Sequence, residues 1–297
     1  MNRAPGERAE ARAAWVLLAP ALILITAFFF LPVVTGLALS LTDYDLYAIG
    51  HPENVRLVGA ANYRALAQAP MFWSALKNTL YFAFVGAPLS VLAALAAALL
   101  LNSRLTRWKS FFRTAYFAPF VTTLVAVAIV WKYLYHPRFG LLDAALGTVG
   151  VRPVDWLGDP HWAMPAIILV AVWRSFGYNM LIFLAGLQRI PAEMREAADL
   201  DGAGHWSRLW HVTLPQLAPT FVFVGVITAI GFFQLFAEPY VMTGGGPLNS
   251  TLSMVLYMYQ EGFRWWRLGS AASIAFVLFA LVLAVTVLQL LWRREET

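Results

Sequence analysis

Residues 79–101 read TLYFAFVGAPLSVLAALAAALLL, a run without a single charge. A helix of that length crosses the roughly 30 Å of bilayer hydrocarbon, which needs about 20 residues. Five further long apolar runs lie at 14–41, 116–135, 163–187, 218–237 and 270–292. In hydrocarbon every backbone N–H and C=O must find a partner within the protein, which leaves helices or closed barrels. A barrel would show alternating runs of about ten residues, whereas these are continuous. The expected fold is therefore all-α, a polytopic membrane protein with six transmembrane helices.

Composition agrees. Of 297 residues 60% are hydrophobic and 12% charged, and the mean hydropathy is +0.66; a soluble domain would be about 25% charged. The absence of cysteine excludes a disulfide framework, a thiolate zinc site and a cysteine nucleophile. The net charge of +5 comes from short basic clusters beside the apolar runs, with no basic stripe interleaved with aromatics, so nucleic acid is not an expected partner.

The clusters set the orientation instead. Arg3, Arg8 and Arg12, then Arg104, Arg107, Lys109 and Arg113, then Arg189, Arg195 and Arg208, and finally Arg293 and Arg294 fall on one side, twelve in all. The other side holds seven: Arg56, Arg64, Lys77, Arg138, Arg152, Arg264 and Arg267. Basic residues favour the cytoplasm, which puts a segment 1–13, a loop 189–217 and a tail 293–297 there, with a membrane domain over 14–292. The first run exceeds the 7 to 15 apolar residues of a cleaved signal core, so a retained span is preferred. Pro20 and Pro32 within it predict kinks. No internal repeat is present.

Between the fourth and fifth runs, residues 189–220 read RIPAEMREAADLDGAGHWSRLWHVTLPQLAPT. The charges Arg189, Arg195 and Arg208 against Glu193, Glu196, Asp199 and Asp201 nearly cancel, unlike the basic face of a lipid-binding helix. Pro191 suits a first helical turn, and Glu193 and Glu196 complement the dipole there. The helical period predicts Ile190, Met194, Ala197 and Ala198 on one face, opposite Arg195, Glu196 and Asp199, with Arg195 and Asp199 spaced to pair. Gly202 and Gly204 then end the helix. A solvated connector fits these physical features as well as a docking surface does.

The spacing Glu196-Ala197-Ala198, three residues, Gly202, nine residues, Val212, then Leu214-Pro215 resembles the EAA signature of permease subunits of ATP-binding-cassette importers; the family often has isoleucine at Val212. Further stretches resemble the carbohydrate-uptake, maltose- and glycerol-phosphate-type subgroup. They are Leu41-Thr42-Asp43-Tyr44, Asn62-Tyr63, Phe111-Phe112-Arg113-Thr114, Phe183-Leu184-Ala185-Gly186-Leu187-Gln188 and Tyr240-Val241-Met242-Thr243-Gly244-Gly245-Gly246-Pro247, so the likeness extends over residues 14–292.

The resemblance implies a type I importer permease fold in the bacterial inner membrane. It also implies a second permease subunit, two ATPase copies, an external substrate-binding protein and a carbohydrate substrate. ATP and Mg would bind the ATPase, and no cofactor this chain. Carried over by position, Glu196, Ala197, Ala198 and Gly202 couple to the ATPase, with Asp201, Ala203, Leu214 and Pro215 as neighbours in the signature.

Other classes are weaker. No phosphate-cradling GxxxxGK[ST] loop occurs, and no HExxH or GxSxG. His51, His136, His161, His205 and His211 all lie outside the apolar centres, so catalysis by this chain is not expected. An ion-coupled secondary carrier would place acids inside its spans, whereas the sixteen acids fall in loops, tails or span ends, Glu238 nearest a span. Asn249-Ser250-Thr251 matches a glycosylation acceptor, read here as accidental.

A sugar path needs hydrogen-bonding groups and flat aromatics. Trp173, Tyr178, Asn179, Gln188, Thr228, Phe232, Phe233 and Gln234 in the fourth and fifth spans are the candidates, each with helix packing as its alternative role. Arg174 belongs with them. Its charge suits an anionic cargo such as glycerol 3-phosphate or another phosphorylated polyol, or a structural partner, either backbone carbonyls or an acid of a partner subunit, and the structural role is the preferred expectation. Lys132 is placed to snorkel. The fifth loop, 238–269, is expected to face the binding protein, with a turn at 243–247, an apolar stripe of Leu252, Val255, Leu256 and Tyr259, and interfacial Trp265 and Trp266.

Overall fold

The structure, a computed structural model, describes residues 5–48, 50–103, 106–150 and 152–294, with side chains at all of these except 5–12, 52, 195 and 292–294. The side chains of Arg3, Arg8, Arg12, Arg104, Arg195, Arg293 and Arg294 counted above, and the tail 295–297, lie outside the described residues. Among the described residues the chain is helical and has no strand, with one isolated bridge between Thr42 and Leu57. It divides into two compact units, one of residues 1–68 and 258–276, the other of 69–257 and 277–297.

In the first unit α1 (Pro5–Ile25), a π turn (Thr26–Phe30) and α2 (Leu31–Ser40) follow one another without a break. Pro32 has no N–H to give to residue 28, and the widened turn lies directly before it, where such a missing bond is absorbed. Pro20 sits inside a continuous α1. After α3 (Ala61–Gln68), the Asn62 amide donates to the carbonyls of Ser40 (2.9 Å) and Thr42 (2.7 Å), and Tyr63 Oη donates to Ser40 Oγ at 2.8 Å. The Leu41–Tyr44 and Asn62–Tyr63 stretches thus meet as one joint, because the orphan carbonyls at the end of α2 need donors.

The second unit contains α4 (Pro70–Asn102), α5 (Lys109–Val121), α6 (Leu124–Leu134), α7 (Leu141–Gly147), α8 (Pro160–Gln188), α9 (Ala192–Leu200), α10 (His205–Arg208), α11 (Leu214–Phe233) and α12 (Ala237–Met242). The short α13 (Met254–Tyr259) and the long α14 (Leu268–Arg294) complete the chain. The most extensive packing is α4 on α8, with α11 against α4 and α5 against α8. Small residues permit it: Ala94 and Ala98 of α4 are fully buried beside Met180, Phe183 and Leu184 of α8, so the backbones approach closely. Asp159 caps α8, accepting from the His161 N–H at 2.8 Å. That backbone bond, with the His161 ring beside it, holds the Asp159 carboxyl below the usual carboxylate range.

Among the described residues five stretches are long and apolar enough to cross a membrane: Ala13–Ser40, Pro70–Asn102, Pro160–Gln188, His205–Met242 and Leu268–Leu291. The sixth expected span, 116–135, is not one straight helix. It falls on α5 and α6, which meet at 98°. Thr122 and Thr123 are extended there; the Thr122 hydroxyl bonds the Ala118 carbonyl at 3.1 Å, and such local bonds compete with a continuing helix. The fifth span also starts earlier than 218, since α10, a π turn (Leu209–Thr213) and α11 are continuous.

The loop after α12 is largely buried. The expected turn forms, with Gly244 and Gly245 at φ of 65° and 93°, a region open to glycine at little cost. Asn78 on α4 donates to the carbonyls of Asn249 (2.7 Å) and Leu252 (3.0 Å), and the Thr79 hydroxyl accepts from the Met254 N–H at 2.9 Å. Of the predicted stripe, Leu252 and Leu256 are fully buried, while Val255 and Tyr259 are half-buried. Replacing Asn78 by leucine removes both clamps, and amide hydrogen exchange at 248–253 is expected to quicken by about tenfold, matching the roughly 1–1.5 kcal/mol of two modest bonds. Unchanged exchange would show that the loop holds itself.

Candidate functional site

Two places gather the polar residues of the second unit. The first is a cavity of about 460 Å³ between α8 and α11, closed on other sides by Phe82, Phe120 and the segment 234–238. The helix stops after Phe233, where Gln234 and Phe236 leave helical geometry, and α12 restarts in a new direction that brings Glu238 to the wall.

On one wall Asn179 donates to Ser90 Oγ (3.2 Å) and to Thr228 Oγ1 (3.0 Å), and Ser90 and Ser175 share a hydroxyl bond of 2.8 Å. α4, α8 and α11 are thereby stitched through one buried amide. Aromatic faces make another wall: Phe120 stacks on Tyr178 with centroids 4.5 Å apart, and Phe82 on Phe232 at 5.0 Å. The Arg174 guanidinium carbon lies 5.5 Å above the Phe120 ring, a favourable cation–π placement. Its Nε is buried without a partner. Glu238 is 7% exposed.

Of the nine candidate path residues, Arg174, Tyr178, Asn179, Thr228, Phe232 and Gln234 line this cavity. Trp173, Phe233 and Gln188 do not. Trp173 turns its ring edge-on to Trp131 of α6, 5.3 Å away, and Phe233 is buried against Phe84. Gln188 is exposed at the end of α8. Among the described residues Arg174 binds no backbone carbonyl, which leaves an acid of a partner subunit as the structural role expected for it. Glu238, read from the sequence as a loop acid at a span end, is buried within the stretch His205–Met242. Phe82, Ser90, Phe120 and Ser175 were missed; the serines were visible as polar interruptions of apolar runs. Lys132 does turn its ammonium to a polar group, the Val241 carbonyl at 3.4 Å.

Replacing Asn179 by leucine would leave Ser90 and Thr228 without their common donor. The expected loss is about 1–2 kcal/mol for two interhelical bonds in a membrane bundle. A lower midpoint of denaturation in detergent checks it; an unchanged midpoint would mean that the serines and Thr228 repartner locally.

The second place is the polar insert. Gly202, at φ of 73°, closes α9: its N–H bonds the Asp199 carbonyl at 3.2 Å and the Ala203 N–H bonds the Ala198 carbonyl at 2.9 Å, the paired bonds of a Schellman end. Nothing lies within 4 Å of where a Gly202 side chain would begin. Of the predicted apolar face, Ile190 and Ala198 are buried, but Met194 and Ala197 are exposed. A nine-residue helix over one neighbour buries only a narrow stripe. Asp199 pairs with Arg208, so the ion pair ties α9 to α10; the side chain of Arg195, expected to pair with Asp199, lies outside the described residues. Glu196, Asp201 and Ala203 are not buried, and Leu214-Pro215 opens α11 instead of closing a loop. Between α9, α10 and the end of α4 lies a cleft of about 910 Å³ lined by Leu99, Ile190, Glu196 and Trp206. Trp206 and Trp210 stand mostly exposed beside it.

A model of the family described as binding-protein-dependent transport system inner membrane component matches residues 64–294. The chain belongs to that family. This inner membrane component is 37% identical to the lactose transport system permease protein LacF of Rhizobium radiobacter, over 95% of this chain and 94% of the relative. It is 34% identical to the sn-glycerol-3-phosphate transport system permease protein UgpA of Agrobacterium fabrum, over 93% and 92%. A crystal structure of a bacterial ABC transporter involved in the import of the acidic polysaccharide alginate superposes with a TM-score of 0.81 at 22% identity, covering 98% of both chains. The permease fold expected from the sequence is therefore the fold observed. As an ABC transport permease the inner membrane component is not an enzyme; the ATPase is a separate chain, which sets aside the ion-coupled carrier.

Proposed function

We propose that this chain passes a sugar across the bacterial inner membrane by alternating access, driven by a separate ATPase that docks on α9. The cavity between α8 and α11 carries this reading. Flat rings of Phe120 and Tyr178 suit the C–H faces of a sugar, and Asn179, Thr228 and Gln234, with the charged Arg174 and Glu238, offer hydrogen bonds among apolar side chains. The likeness to a lactose transport permease supports the substrate class.

The cargo path is completed by a second, related permease. The stretch Ala13–Ser40 buries nothing of its most apolar window within this chain, and Leu268–Leu291 only 6%. Lipid and the second permease cover these faces. Both termini and α9 lie in the cytoplasm, as the basic clusters direct. Glu196, Ala197, Ala198 and Gly202 form the ATPase contact, flanked by Asp201, Ala203, Leu214 and Pro215. Two ATPase copies bind ATP and Mg, this chain binds no cofactor, and an external binding protein delivers the sugar to the opposite side.

A second reading, the same machine carrying a phosphorylated polyol, has Arg174 in the cavity in its favour. The test is reconstitution of the whole complex in liposomes with its binding protein. ATP-dependent uptake of labelled lactose or another saccharide is expected, with none from an ion gradient alone. Uptake by this chain by itself on an ion gradient would overturn the proposal.

A further inference from the structure

We infer that the cavity holding Arg174 and Glu238 takes an uncharged saccharide whose hydroxyls bridge the two side chains, and that it disfavours anionic sugars. The inference rests on the reading of the chain as a sugar permease and names the chemistry of its cargo.

Arg174 on α8 and Glu238 on α12 line the same cavity. Glu238 is buried and Arg174 half-buried with its Nε enclosed, and opposite charges in such an apolar setting are expected to pair, because an unpaired one is costly there. They do not pair directly: four ion pairs form among the described residues within 4.0 Å, and Arg174 with Glu238 is not among them. Arg174 makes no hydrogen bond to any described residue, and its Nε is buried and unsatisfied. The gap between the two groups therefore asks for a bridging group.

What bridges is set by hydrogen-bond type. A guanidinium only donates and a carboxylate only accepts. A hydroxyl does both, so neighbouring hydroxyls on one sugar ring can accept from Arg174 and donate to Glu238. A phosphate or carboxylate on the cargo would satisfy Arg174 but meet Glu238 as a like charge, with no proton to offer it. The two side chains sum to zero charge, and a neutral cargo keeps that balance. The apolar lining agrees: Phe82, Phe232 and Phe236 face the cavity beside Phe120 and Tyr178, and such aromatic surface suits the C–H side of a sugar. The cavity of about 460 Å³ is within the range of small-ligand sites.

The experiment uses the full complex in nanodiscs, without its binding protein, and reads saturation-transfer NMR to lactose and to digalacturonate at pH 7. The wild-type complex is expected to give at least fivefold more transfer to lactose. Glu238→Gln, which leaves the cavity positive, should bring the two within twofold or invert them. Arg174→Gln should cut the lactose signal at least fivefold. Co-purification with the partner subunits checks that each variant assembles, and the wild-type comparison needs no variant. Equal or greater transfer to digalacturonate in the wild type, no transfer to lactose, or a ratio unmoved by both variants would overturn the inference. Saccharide uptake that persists with an unmoved ratio sinks this inference alone. A clear lactose preference without any ATP-driven saccharide uptake sinks the transport reading instead.

Discussion

Gly177→Ala is expected to yield little folded protein. A Cβ at this position would sit 1.8 Å from the Tyr116 carbonyl oxygen and 2.5 Å from its carbon. Both are backbone atoms of α5, so no side-chain end can swing aside, and α5 must move away from α8. Over-packing in a well-packed interior costs roughly 1–3 kcal/mol, and a clash of backbone on backbone belongs at the upper end. Displacing α5 also moves Phe120, which forms the aromatic wall of the cavity and underlies Arg174. The checks are the amount of monodisperse protein after detergent extraction and its melting temperature. Gly225→Ala is the control, since nothing lies within 4 Å of its Cβ and alanine favours a helix by about 1 kcal/mol. If Gly177→Ala melts with the parent, α5 and α8 do not pack as described.

Gly202→Asp should separate folding from transport. The site has φ of 73°, a conformation that aspartate visits more readily than most residues, and there is open space around it. The strain is therefore about 1 kcal/mol and confined to the end of α9. The protein should reach the membrane in normal amounts. The new carboxylate, however, stands beside Asp201 on the surface proposed to seat the ATPase. An uncompensated charge in such an interface is worth more than the 1.4 kcal/mol of a tenfold change, so ATP-driven uptake should fall at least about tenfold, with ATPase recovery reduced. Normal uptake with normal ATPase recovery would remove α9 from the proposed role.

The spans were legible in the sequence because apolar length is a one-dimensional property. The right-angle bend between α5 and α6 was not, since Thr122 and Thr123 are also unremarkable inside a straight membrane helix. Nor was the early start of the fifth span. Residues 205–213 are polar enough to read as loop, and only the structure shows their helix running into α11.

The candidate site divides for a similar reason. Trp173, Tyr178, Asn179 and Gln188 are all polar or aromatic groups of one span, α8, yet a helix turns 100° per residue and rises 1.5 Å. Trp173, one step from Arg174, therefore meets α6 instead of the cavity. Gln188, fourteen residues further, lies about 21 Å down the helix. The same rotation parts Phe233 from Phe232. Phe82 and Phe120 come from other helices, and Glu238 depends on the break at Gln234–Phe236; no local pattern announces such three-dimensional meetings. In the insert the glycine signal for the end of α9 was sound. Asp199 meets Arg208, nine positions on, because the chain reverses at Gly202.

The unbroken helical run from His205 to Phe233 gives the two sites a mechanical relation. Its twenty-nine residues rise about 43 Å, with Trp206 of the cleft beside α9 at one end and Phe232 of the cavity at the other. Such a rod is a lever: a tilt of about 10° about its middle displaces each end by about 4 Å in opposite directions. Motion at the cleft thus arrives at the cavity wall with its sense reversed. The π turn Leu209–Thr213 is the one irregular stretch along the rod, and its position near the cleft leaves the longer, stiffer arm to reach the cavity.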